Sequence, residues 1–357
     1  MTQTLLLTGG CGFIGSAVVR YLLRRTDCVI VNVDKLTYAA SEDALEGAAH
    51  HRRHILVRAD IADAAAMHQV FARHQPDAVM HLAAESHVDR SIDGPADFIR
   101  TNILGTFTLL EAARHYYAGL SGPRRAAFRF HHVSTDEVFG ALGPDDAAFT
   151  ETTSYDPRSP YSASKAGSDH LVRAWFHTYG LPTMVSNTCN NYGPWQFPEK
   201  LIPLVALNAL EGKPLPVYGD GSHRRDWLHV EDHAAALACV LERGEPGATY
   251  AIGARQPRSN LHVVRAICAE LDRRCPDPAG PRERLIRFVA DRPGHDFRYE
   301  IDPSRAEAVL GWRASHDFEA GLSHTIEWYL ANRPWWESVR AARYAGERLG
   351  VAVGSAA

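Results

Sequence analysis

The chain is expected to fold as an α/β protein, a doubly wound parallel sheet with a smaller C-terminal substrate-binding lobe. Three observations predict this. Short continuous apolar runs alternate with helical patterns through the first half of the 357 residues. Such runs suit strands buried on both faces, as in a parallel sheet. The first run leads directly into a glycine cluster that opens a helix. After about Asn187 the alternation stops and a stretch rich in Asn, Gly, Pro and aromatics takes over.

In order, 4–8 reads as a buried strand and 13–25 as a helix with Ile14, Val18 and Leu22 on one face. Strands follow at 29–33, 55–58, 78–82, 128–134 and 183–186, with helices at 64–73, 96–117 and 162–179. Right-handed crossovers then wind the helices onto both faces of the sheet. The stretch 190–203 is poor sheet material. Beyond it, 216–218 reads as a short strand, and 231–242, 261–273 and 318–332 as helices. We therefore expect a first domain over 1–189, with 229–254 returning to it. A lobe is expected over 190–228 and 255–340, and a tail over 341–357 whose Gly, Ser and Ala end is frayed.

Composition excludes several classes. Apolar residues make up 45% and charged residues 22%, enough apolar surface to offset chain entropy. The net charge of −4 gives no general pull toward nucleic acid or an anionic membrane. No apolar run approaches the ~18 residues that span a bilayer. The six cysteines contain no C-x-x-C pair and read as free thiols in a reducing, cytoplasmic setting. Leu5-Leu6-Leu7 lacks a basic flank and reads as a strand, not a signal sequence.

Gly9, Gly12 and Gly15 form G-x-x-G-x-x-G between the first strand and the first helix. Glycines there allow a tight turn, close approach of a pyrophosphate and close helix–strand packing, the Rossmann dinucleotide fingerprint. Asp34 follows the second strand, where an acid accepts from both adenosine ribose hydroxyls and repels a 2′-phosphate. NAD is therefore favoured over NADP. Asp60, after the third strand, suits either an adenine contact or a solvated loop acid.

Tyr161 and Lys165 stand one helical turn apart on one face. A neighbouring ammonium and a cationic nicotinamide are expected to lower the phenol from its ordinary ~10 so that it serves as a base. Thr135, Asp136 and Glu137 end the fifth strand, at the carboxyl edge where such sheets bind ligands. Two adjacent carboxyls in a poorly solvated place push one pKa up, leaving one acid and one base.

These residues resemble the extended short-chain dehydrogenase/reductase family. Within it, the segments at 34–39, 83–91, 134–138, 190–194, 197–203 and 291–296 resemble the dTDP-glucose 4,6-dehydratases, and the likeness runs to Trp335-Trp336. The Asp136-Glu137 pair separates that group from the sister 4-epimerases. The resemblance implies a dTDP-glucose substrate and a three-step internal redox reaction. Tyr161 takes the proton of the 4-hydroxyl, Lys165 holds the nicotinamide ribose, and Thr135 positions the hydroxyl. Glu137 removes the proton on carbon 5 and Asp136 protonates the departing 6-hydroxyl, while hydride leaves carbon 4 and returns to carbon 6.

By position in the family pattern, Phe13, Ile14, Lys35, Thr37, Ile61 and Ala83 join the glycines at NAD. Ser86, His87, Asn190, Glu199, Lys200, Arg225, Asn260, Arg292 and His295 join the nucleotide-sugar site. Arg225 is the candidate for the diphosphate, since a guanidinium reads phosphate oxygens bidentately. Asn260 suits equally the N-cap of the helix from Leu261, and His87 a satisfied loop position. Phe139, Trp195 and His229 depart from the family pattern, where tyrosine, a smaller aromatic and tyrosine or phenylalanine stand.

The 19 histidines suggest no metal. His50, His51 and His54 read as a solvated loop, and His131-His132 point to opposite faces of a strand. Apolar residues on more than one face of 96–117 and 162–179 leave two readings, helices sandwiched within the subunit or paired across a two-fold axis; the resemblance implies a homodimer. Two alternatives stand beside the dehydratase reading: an epimerase or decarboxylase of the same superfamily, and a catalytically silent NAD-binding regulator.

Overall fold

The computed structural model describes residues 3–291, 294–344, 346 and 349. Seven strands form the main sheet: β1 (Thr4–Thr8), β2 (Val29–Asp34), β3 (His54–Arg58), β4 (Ala78–His81), β5 (Arg129–Thr135), β6 (Thr183–Thr188) and, from late in the chain, β10 (Thr249–Ile252). Their order is β10-β6-β5-β4-β1-β2-β3, and every neighbouring pair is parallel. The alternation along β1 shows why both faces need helices. Leu6 packs with Val31, Met67, Phe71, Leu109 and Val172 on one side. Leu5 and Leu7 pack with Val18, Ile30, Met80 and Leu237 on the other. Burying one such leucine stabilises the fold by about 1.5–3 kcal/mol.

The first face is covered by α2 (Ala64–His74), α5 (Thr106–Ala118) and α7 (Pro160–Tyr179), and the second by α1 (Phe13–Arg25) and α9 (Val230–Arg243). The helix expected over 96–117 is interrupted. A short helix, α4 (Pro95–Phe98), runs into a π turn at Ile99–Gly105 before α5 begins. Gly105 belongs to this turn because a Cβ there would meet Ile61 Cδ1 at 2.7 Å. Extra residues of this kind re-aim side chains and concentrate at functional sites. Here the turn points Asn102 at both the backbone of Glu85 and the hydroxyl of Ser164.

The smaller lobe carries β7 (Asn190–Tyr192), β9 (Arg224–His229) and β11 (Pro257–Ser259) in one sheet, and β8 (Leu215–Tyr218) beside β12 (Ile286–Val289) in another. Its core gathers Tyr192, Val205, Trp227, Ile267, Phe318 and Ile326 from five elements. They include α8 (Leu201–Leu210), α10 (Asn260–Arg274) and α11 (Phe318–Ala331), which precedes α12 (Arg333–Ala342). Two expectations fail here. The stretch 190–203 is not irregular throughout, since it contains β7 and opens α8. Pro203 is tolerated because it lies in the first helical turn, where its missing N–H has no intrahelical acceptor. His54 is not in a solvated loop but is buried at the start of β3, 3.3 Å from the Asn32 amide. Among the described residues no helix is long and apolar enough to cross a membrane. The tail after Val351 lies outside the described residues.

Candidate active site

A cleft of about 1590 Å³, open to solvent, runs along the carboxyl edge of the main sheet. One wall is backbone. The chain leaves β1 through Gly9 at φ +76°, and a Cβ there would meet Ala83 N and Cα at 2.8 Å. A Cβ on Gly15 would meet Gly9 O at 2.1 Å. Gly12 opens α1 with no side-chain cap, and Gly12, Phe13, Ile14 and Gly15 face the cleft. Asp34 closes this wall: Oδ2 accepts from Cys11 N–H at 2.9 Å and Oδ1 from Leu36 N–H at 2.8 Å. Burial raises its pKa, and these two bonds oppose the rise. Lys35, Thr37, Ile61 and Ala83 also line the cleft. Asp60 does not line it; its Oδ1 accepts from Ala62 N–H. The outer edge of this wall is held from far along the chain. Trp335 Nε1 donates to Ser41 Oγ at 3.3 Å, and Arg343 Nη1 to Ala40 O at 2.6 Å.

At the centre, Ser159 and Ser162 form a reciprocal capping box and Pro160 takes the first helical position, which fixes where α7 begins. Tyr161 and Lys165 are thereby set in the cleft floor, both buried. Lys165 Nζ donates to Val133 O at 2.9 Å. Burial lowers its pKa to about 8, with Asp169 opposing. From the protein's own groups the Tyr161 phenol is raised, first by burial and then by the charge of Glu137, while a hydrogen bond with Thr135 pulls it back. The Lys165 ammonium is turned to the backbone of β5.

Thr135 caps the turn that carries Asp136 and Glu137, accepting from Glu137 N–H at 3.3 Å. Asp136 is 1% exposed. Its pKa is raised well above the carboxylate range, by burial first and then by Glu137, with Arg225 opposing. Oδ1 accepts from Thr135 Oγ1 at 3.3 Å, and Oδ2 is buried with no hydrogen-bond partner. Burial of this kind favours the protonated form, which suits Asp136 to give a proton.

The facing wall is made of side chains. Ser86, Asn190, Glu199 and Lys200 line the cleft, and Asn190 Oδ1 is buried without a partner. Glu199 is engaged with Arg90 Nε at 2.7 Å and Tyr38 OH at 3.0 Å. Lys200 Nζ donates to Ser86 O at 2.8 Å. His87, Arg225, Asn260 and His295 do not line the cleft. His87 caps the short helix from Val88 and lies 3.3 Å from Glu199 O. Arg225 is buried beneath the ring of Tyr299 and donates to Asp296 O at 2.9 Å. The N-cap of α10 is Ser259, not Asn260, whose Oδ1 is buried without a partner. Arg292 lies outside the described residues. His295 stacks on His223 at 3.7 Å, and Asp291 bridges the two. Imidazole lone pairs lie in the ring planes, so parallel stacked rings suit a shared carboxylate better than one ion.

Sequence reasoning passed over Asn102, His132, Asp169 and Asn187, which form the layer behind the catalytic cluster. A further turn of spacing past Lys165 was the available signal for Asp169. His132 and Asn187 carried none, because their pairing depends on strand register.

Residues 6–325 match the family model described as GDP-mannose 4,6 dehydratase. The chain is 58% identical to a dTDP-glucose 4,6-dehydratase of Escherichia coli, across 97% of this chain and 99% of that protein. It is 58% identical to the Neisseria meningitidis enzyme of the same name, across 98% and 99%. The chain belongs to the dTDP-glucose 4,6-dehydratase family. The crystal structure of the Streptomyces venezuelae dTDP-glucose 4,6-dehydratase with NAD bound superposes with a TM-score of 0.86 at 42% identity, covering 94% of this chain and 100% of that one. The residues present suit a dinucleotide. The glycine cradle has no room for a Cβ at 9 or 15, and the uncapped end of α1 offers free N–H groups to a diphosphate.

Proposed function

We propose that this chain catalyses the NAD-dependent conversion of dTDP-glucose to dTDP-4-keto-6-deoxyglucose and water. The observation that carries this reading is Asp136, a buried carboxyl whose pKa is raised by burial and by Glu137 beside it, in the same cleft as Tyr161 and Lys165. Hydride transfer alone needs no second acid; elimination of a hydroxyl does. Bound NAD supplies a hydride acceptor at carbon 4 and a donor at carbon 6.

The protein's own groups divide the proton work. Tyr161 removes the proton of the 4-hydroxyl, and Thr135 holds that hydroxyl. Glu137 takes the proton of carbon 5, made acidic by the neighbouring ketone, Asp136 gives its proton to the 6-hydroxyl as it leaves, and Glu137, after exchange with solvent, returns a proton to carbon 5 once carbon 6 has been reduced. Gly9, Gly12, Gly15 and Asp34 hold the dinucleotide, with Phe13, Ile14, Lys35, Thr37, Ile61 and Ala83 around it and Asp60 acting from outside the cleft through Lys35. Ser86, Asn190, Glu199 and Lys200 hold the sugar nucleotide. Arg225 acts on Asp136 electrostatically, and with His87, Asn260, Arg292 and His295 it is assigned to a nucleotide end beyond the cleft.

The reading extends to assembly and place. Ile99, Leu104, Phe107 and Tyr179 are 40–49% exposed along the π turn, α5 and α7. This apolar stripe supports a homodimer formed through those helices. The six cysteines are free, which supports a reducing, cytoplasmic setting.

The test is turnover of dTDP-glucose in deuterated water, followed by mass spectrometry. The expected product has lost one water and carries deuterium at carbon 5. Epimerisation without either change would overturn the reading in favour of an epimerase.

A further inference from the structure

Two turns beyond Tyr161 on α7, Asp169 is fully buried, a costly place for a carboxylate. Its Oδ2 accepts from Ser134 Oγ and Tyr155 OH, each at 2.8 Å, and from Asn187 Nδ2 at 3.1 Å. Its Oδ1 lies 3.1 Å from His132 Nε2, and that nitrogen lies 3.5 Å from Lys165 Nζ. Asn187 Nδ2 also donates to Thr135 O at 3.1 Å. One side chain therefore joins the helix of Tyr161 and Lys165 to the strand end of Thr135, Asp136 and Glu137.

We propose that Asp169 is a positioning residue of the reaction, whose fixed negative charge keeps the Lys165 ammonium cationic under the cleft floor. The charges around it support this. Lys165 faces Tyr161 on its own helix, His132 on β5 and His81 on β4. Asp169 faces His132, Lys165, Tyr155 from the preceding loop, and Arg173 one turn on, which donates to the Tyr155 hydroxyl at 2.8 Å. His81 and His132 are held neutral, in each case first by burial. Burial also pushes Asp169 up, but its hydrogen bonds with His132 and Ser134 and the nearby charge of Lys165 prevail and hold its pKa below the ordinary value. The charge of Asp169 in turn opposes the desolvation of Lys165.

The proposal rests on Tyr161 and Lys165 being the catalytic pair, so turnover by the wild type is established first. The experiment is the pH–rate profile of NAD-loaded enzyme on dTDP-glucose, with thermal melting as a control for folding. The wild-type rate should fall as pH rises through about 8, where Lys165 loses its proton. In Asp169→Asn that alkaline limb should move down by about two pH units. kcat at neutral pH should drop about tenfold, with KM changed less than about twofold. Ser134→Ala and Tyr155→Phe each remove one hydrogen bond but keep the charge, and should leave the limb in place.

Asp169→Glu and Asp169→Gln form a second pair matched in size and differing in charge. The glutamate should keep the wild-type limb and the glutamine should shift it. An unshifted limb in folded Asp169→Asn overturns the proposal, as does an equal shift in Ser134→Ala. Failure of both uncharged variants to fold, with the glutamate variant sound, assigns Asp169 a structural role and overturns it too.

Discussion

The two walls of the cleft are made of different material. The cofactor wall is built around backbone: Gly9, Gly12 and Gly15 shape it, and the turn from β1 into α1 forms its centre. The opposite wall is a mosaic of side chains from segments more than a hundred residues apart, such as Ser86 with Lys200 and Arg90 with Glu199. A backbone wall tolerates no added atom but needs little side-chain support. A mosaic wall can lose one member and weaken by degrees. The Thr135–Glu137 turn lies between them and depends on its surroundings for its protonation state.

That contrast can be broken by substitution. The largest effect is expected from Gly15→Val, whose Cβ would collide with Gly9 O. Overpacking at a fixed backbone costs up to about 3 kcal/mol, so NAD affinity, measured by titration, should fall about a hundredfold. A variant that binds NAD normally would remove the distinction between the walls. Next, Asp136→Asn should lower kcat by about 10²–10⁴-fold and raise the melting temperature at neutral pH. The sign follows from the raised pKa of Asp136: the unfolded chain gives up the proton that the folded state keeps. That difference weakens the fold as pH rises above the ordinary carboxylate value, and the amide removes it.

On the mosaic wall, Asn190→Ala should raise KM for dTDP-glucose about tenfold and leave NAD affinity unchanged, one hydrogen bond being worth about 1 kcal/mol. An equal loss of NAD affinity would show that the walls are not independent. The smallest effect is expected away from the cleft, where Ser259→Ala removes the cap of α10. About 1 kcal/mol of stability and a few degrees of melting temperature should go, with kinetics unaltered.

The same contrast explains what could be read from the residues alone. β1 and α1 come out of the sequence with their observed ends, because an apolar run, three glycines and a helical period all agree over adjacent positions. Tyr161 and Lys165 are legible because a helix converts a spacing of four into one face. The π turn at Ile99–Gly105 was not legible: its apolar positions continue the helical pattern of 96–117, and what the turn accommodates is the distant Ile61 and Glu85. The fate of Asn260 was open for a related reason. Ser259 and Asn260 are both strong caps, and the backbone decided between them. The direction of the Lys165 ammonium was not legible either, since spacing brought it close to Tyr161 but could not say that it turns to Val133.

The contacts of Trp335 and Arg343 with Ser41 and Ala40 carry a consequence for synthesis. The rim beside the adenosine end is completed by a residue 303 positions later in the chain. A nascent polypeptide can therefore assemble the glycine turn early, but the rim closes only after α12 has been made and has folded back. Cofactor retention in this molecule thus reports that the segment through Arg343 has docked.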